Sequence, residues 1–161
     1  MQRTKILQYA LAMSVGLFFY GTAHAEQMAN PIAASEIKWA PAPPFGRPGM
    51  EVAVLAGNPE KEGSWTLRLK LPENYVFPPH NIPVNETVTV LSGVIYIGLG
   101  DTFDRTKAQR MAVGSFVELP GKINRYSWNQ TEVIVEVHSI GPSPITYANP
   151  ADDPSKEALS P

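Results

Sequence analysis

The chain has 161 residues, with 13 Lys and Arg against 15 Asp and Glu, three His and no Cys. That length gives one domain's worth of core. No basic cluster exceeds two residues, which argues against nucleic acid or an anionic membrane as a partner, and the missing cysteines exclude thiolate chemistry and disulfide support.

Residues 1–25 read as an address. Arg3 and Lys5 precede an uncharged apolar run over 6–20, and Ala23-His24-Ala25 closes it with small residues around one variable position. This is the three-part pattern of a secretory signal peptide, with cleavage expected after Ala25. The apolar run is shorter than the roughly 20 residues a spanning helix needs, so the expectation is export to the periplasm or the exterior, with no integral membrane span after processing. Losing Arg3 and Lys5 takes the 13 basic side chains to 11 against 15 acidic ones, a net charge of −4.

Residues 26–49 carry Pro31, Pro41, Pro43, Pro44 and Pro48. They cannot form one helix and read as an extended arm lying on the domain, anchored by Trp39 and Phe45. A β rhythm follows, with strands expected over 50–56, 64–71, 86–91, 94–99, 115–119, 124–128, 131–138 and 145–148. Over 64–71, Trp65, Leu67, Leu69 and Leu71 alternate with Thr66, Arg68 and Lys70, naming the core face. Asn74 stands in a turn and tolerates a left-handed backbone. Gly98-Leu99-Gly100 lacks the third glycine and the following helix of a nucleotide loop. Residues 101–110 read as a solvated loop with one helical turn, and 150–161 as a polar, poorly ordered tail. Short strands separated by Gly and Pro, without a long amphipathic helix, predict an all-β sandwich or barrel.

Within this pattern Glu86 shares a strand face with Val88 and Val90. A carboxylate among valines must pair, bind a cation or shift its pKa. His80 lies just upstream, and facing a cavity beside an ionised Glu86 it is expected to have a raised pKa. His138 falls opposite the valines of 131–138, away from the core. Tyr75, Phe77, Tyr96, Phe116, Tyr126 and Trp128 are the aromatic candidates for a cavity wall.

His80-x-Ile82, three residues, Glu86, six residues and Gly93 resemble the first cupin motif, Gly-x5-His-x-His-x3-4-Glu-x6-Gly, with Asn74 at the opening Gly and Ile82 at the second His. Gly114, Pro120 and Asn129 resemble the second motif, Gly-x5-Pro-x-Gly-x2-His-x3-Asn, with Lys122 at its second Gly and Arg125 at its His. Residues 41–59 and 141–154 further resemble exported one-domain cupins. The resemblance implies an all-β, cupin-type jelly-roll barrel (double-stranded β-helix) over 50–149, with the extended arm before it.

In metal-dependent cupins three His and the Glu hold an Fe, Mn, Ni or similar ion. Carried over position by position, only His80 and Glu86 remain, because Ile82 has no lone pair and Arg125 is a permanent cation. No resident cofactor is favoured, and a divalent Fe, Mn, Ni, Co or Zn ion at His80 and Glu86 is the alternative. The resemblance thus implies a site of His80, Ile82, Glu86, Arg125 and Tyr126, with Arg125 paired to Glu86 or holding an anionic group of a small-molecule ligand; there its charge is the one thing expected to cancel the rise at His80. Three functions follow: an exported binding protein, an enzyme, or a structural module with a filled barrel. The enzyme is either a dioxygenase or isomerase with a reduced metal site, or metal-free with His80 as acid/base. A homodimer is compatible with all three.

Overall fold

The computed structural model describes residues 31–157, so the expected signal peptide lies outside the described residues. Short antiparallel strands follow one another: β1 (Ala40–Pro41), β2 (Glu51–Ala56), β3 (Gly63–Leu71), β4 (Val76–Asn81), β5 (Glu86–Ser92), β6 (Val94–Leu99), β7 (Gln109–Ala112), β8 (Phe116–Leu119), β9 (Arg125–Asn129), β10 (Val133–Gly141) and β11 (Thr146–Tyr147). One sheet has the order β1-β2-β3-β10-β5-β8 and the other β11-β4-β9-β6-β7. No helix among the described residues is long and apolar enough to cross a membrane.

Alternation decides which side chains meet between the sheets. Strand β3 turns Trp65, Leu67 and Leu71 inward, and β10 turns in Val133, Val135, Val137 and Ser139, all buried. The second sheet answers with Phe77, Ile95 and Ile97. On the outer face Arg68 pairs with Glu136 at 2.9 Å and Lys70 pairs with Glu51. Such half-exposed pairs add under about 1 kcal/mol each, so apolar burial holds the barrel.

The turn between β5 and β6 carries the chain from one sheet to the other. It closes on Gly93, whose φ is 75°, and a Cβ there would lie 2.4 Å from the Glu132 carbonyl oxygen. Only glycine meets both demands. Two positions where the cupin motifs carry glycine keep the left-handed backbone without it: Asn74 at φ 58° and Lys122 at φ 65°.

The structure departs from expectation in four places. Strand β4 runs through Pro78-Pro79, because the register to β9 shifts between Phe77 and His80, where a prolyl nitrogen need not donate. The charged run over 101–110 does contain a helical turn, Arg105–Lys107, but its end enters edge strand β7, too short to show a period. The arm includes a 3-10 turn, Ala34–Glu36, and pairs with β2 through β1. The described part of the tail folds into Pro150–Asp152 and a short helix, α1 (Pro154–Glu157), with Asp152 paired to Arg47 at 3.1 Å. Both expected anchors of the arm are engaged: Lys70 lies 4.6 Å over the Trp39 ring, and Phe45 packs on the core.

Candidate functional site

Strands β4 and β9 set His80 directly opposite Arg125, so their side chains leave the same face side by side. Glu86 opens β5 in the other sheet. Arg125, only 2% exposed, spans the interior to reach it. Its Nε donates to Glu86 Oε1 at 2.9 Å, and its Nη2 lies 2.9 Å from the same oxygen without completing a hydrogen bond. The contact is therefore one-oxygen rather than a parallel fork, and Glu86 Oε2 holds no hydrogen bond among the described residues. Ile82, two residues beyond His80, is buried, and its carbonyl accepts from the Lys122 N–H at 2.7 Å. The neighbours Asn81 and Asn124 lock the frame: Asn81 Nδ2 donates to Asn124 Oδ1 at 2.6 Å, and Asn124 Nδ2 to Asp101 Oδ1 at 2.7 Å.

His80 Nδ1 lies 2.7 Å from the Pro78 carbonyl oxygen. A carbonyl can only accept, so Nδ1 carries the proton and Nε2 is left with its lone pair. Burial holds the imidazole down at about 4 against an ordinary 6.5; the Pro78 contact pulls upward, and the Arg125 charge adds to the depression. The rise expected beside an ionised Glu86 does not occur: the ring is dry, and the Arg125 charge, the exception foreseen for it, also opposes imidazolium. Burial pushes the Glu86 carboxyl upward, and the Arg125 charge and hydrogen bond pull it partly back.

These groups line a cavity of about 450 Å³ between the sheets, within the range of small-molecule sites. Most of its wall is hydrocarbon, including Trp65, Leu67, Leu71, Phe77, Ile82 and Val137; its polar lining residues include His80, Glu86, Arg125 and Ser127, with Glu60 and Ser143 on the loops. Exposed lining residues Glu60, Pro142 and Pro144 mark the mouth, where the Ser143 N–H ties one loop to the Pro59 carbonyl at 2.9 Å.

Tyr126 contributes to the wall, but its hydroxyl donates to the Asp104 carbonyl at 2.8 Å and its ring meets Phe103 edge-on. Of the other aromatic candidates Phe77 lines the cavity; Tyr96 and Trp128 stack on each other with Arg105 over Trp128, and Phe116 is exposed. His138 is exposed and contacts Thr66 Oγ1 at 3.1 Å. Two residues escaped the sequence reading. Ser127 alternates with Arg125 along β9, a signal that was available. Ser139 sits in register between Glu86 and Trp65, and its hydroxyl donates to the Asn85 carbonyl at 2.5 Å; that placement needs the sheet order.

Among the described residues no three His, Cys, Asp or Glu side chains gather as a metal site. The four positions that the cupin motifs reserve for ligands hold His80, Ile82, Glu86 and Arg125. They present two donors, one already engaged by a cation, and do not fit a four-ligand centre.

No protein-family model matches the sequence, and no curated protein matches it. Solved structures do match. The polyketide cyclase RemF from Streptomyces resistomycificus aligns with TM-score 0.66 at 15% identity, over 83% of this chain and 95% of that one. An RmlC-like cupin from Shewanella frigidimarina aligns with TM-score 0.52 at 11% identity, over 66% and 85%. A protein with a double-stranded β-helix domain from Klebsiella pneumoniae aligns with TM-score 0.51 at 18% identity, over 65% and 91%. The fold is that of the cupins: a double-stranded β-helix.

Proposed function

We propose that this is an exported single-domain cupin-fold protein that binds a small organic molecule inside the barrel, without the transition-metal centre of its metal-dependent counterparts. The observation that carries this reading is the open, largely apolar cavity whose one polar corner is closed by the Arg125–Glu86 pair. A guanidinium at a ligand position repels a cation and already occupies one carboxylate oxygen. A cavity of this size also weighs against a filled, purely structural barrel. Export rests on the pattern over residues 1–25.

Metal-free chemistry is the second reading, favoured by the bare His80 Nε2. A buried base near 4 is weak at neutral pH, however, and binding is the better-supported role.

Native mass spectrometry of protein recovered from an exporting host, purified without chelator, tests the reading. The expected species begins at Glu26 and carries an organic adduct that is lost on denaturation. A species carrying one Fe, Mn, Ni, Co or Zn ion per chain would overturn it.

A further inference from the structure

Resting on that binding reading, we infer that the cavity takes an uncharged, mainly apolar molecule whose head group is a hydroxyl, as in a fatty or aromatic alcohol, and that it rejects carboxylates.

Inside the cavity the guanidinium of Arg125 and the carboxylate of Glu86 cancel, and His80, protonated only on Nδ1, is neutral. At the mouth Glu60 is exposed and negative. No net positive charge waits for an anion, and an ammonium would have to strip its water beside a guanidinium.

The hydrogen bonds that the wall can still make run mainly in one direction. Of its N–H donors, Arg125 Nη2 and Trp65 Nε1 have no partner and are sealed from the space, and Arg125 Nη1 turns to the Ile123 carbonyl at 3.5 Å. Two acceptors stay open: His80 Nε2 and Glu86 Oε2 hold no hydrogen bond among the described residues, and neither is among the sealed atoms. A wall that offers lone pairs asks its ligand for a proton. Ser127 Oγ, on the face of Arg125, can in turn donate to the ligand's oxygen. A hydroxyl satisfies both requests. A carboxylate brings only lone pairs, and against Glu86 Oε2 it meets like charge. The rest of the wall is hydrocarbon, which sets the apolar body.

A four-member series tests this by calorimetric titration and thermal shift at pH 7.5: 1-octanol, its isomer dibutyl ether, octanoate and octylamine. The isomers share composition; the ether keeps an oxygen acceptor, placed in mid-chain, and has no donor. Octanol should bind about tenfold or more tightly than each of the other three, the loss expected when a buried polar group goes unpaired. His80→Leu should narrow the gap between octanol and ether, and Val137→Trp, which fills the cavity, should abolish octanol binding. If octanoate binds as well as octanol and Val137→Trp abolishes both, the head-group inference is overturned while the binding reading stands. Equal binding of the ether likewise overturns the inference. If no member binds, both fall.

Discussion

Arg125 and Glu86 are the residues on which the interior balances. A buried ion pair is costly to break, because the survivor stays charged in a dry place. Arg125→Ala should therefore destabilise the fold by about 3–5 kcal/mol, less if water enters the cavity. Replacing both, Arg125→Met with Glu86→Leu, should recover most of that loss, since hydrocarbon of similar size needs no partner. Urea denaturation of the three proteins checks this; equal loss in single and double variants would speak against the pair. His80 gives a pH signature of known sign. Its folded pKa of about 4 lies below the ordinary 6.5, so between these values the unfolded chain takes up a proton that the folded chain refuses. Stability from this group is complete above about pH 6.5 and is lost as pH falls toward 4, a contribution of order 3 kcal/mol. Glu86 acts in the opposite sense: its raised folded value means that its contribution declines as pH rises through it. The two are separated by comparing wild type with His80→Phe across that window, where only the His80 slope should vanish. Direct NMR titration of the His80 ring should show no protonation until well below pH 6; an ordinary midpoint would refute the dry, neutral imidazole.

At the scale of elements, the strands with a clean period of two were legible in the sequence, and those without one were not. Strand β3 announced its core face through Trp65, Leu67 and Leu71, and β5 paired Glu86 with Val88 and Val90 on the inner side as read. Strand β4 was hidden because Pro78-Pro79 argues against a ladder unless a register shift spares them, and that shift depends on β9, far along the chain. Edge strand β7 was hidden by length and by outward charge. The position of Arg125 was legible through motif spacing. The depressed His80 pKa was not, because dryness comes from both sheets at once. Turn chemistry was readable where the residue type gave it away, as at Asn74, and unreadable at Lys122, whose φ of 65° no propensity suggests. Gly93→Ala should cost about 2 kcal/mol or more, combining left-handed strain with the approach of the Glu132 carbonyl. A thermal midpoint unchanged from wild type would show that the crossing between sheets is more yielding than its geometry.

For the molecule as a whole, the fold is two sheets with a cavity between them, an architecture that does not by itself dictate one use. Under the proposed function Ile82 and Arg125 are substitutions at two ligand positions of the cupin motifs, with the Arg125 side chain supplying the charge that a metal would bring. Restoring imidazoles, Ile82→His with Arg125→His, removes the repelling charge and gives three nitrogen donors and one carboxylate, a set suited to Fe, Mn, Co, Ni or Zn. Chelator should leave the melting temperature of wild type unchanged, whereas the double variant should be stabilised by metal through mass action.

Calorimetric titration of wild type and the double variant with Ni tests the proposed replacement of metal by guanidinium most directly. One-to-one binding by the double variant and none by wild type is the predicted result. Tight one-to-one binding by wild type would contradict it.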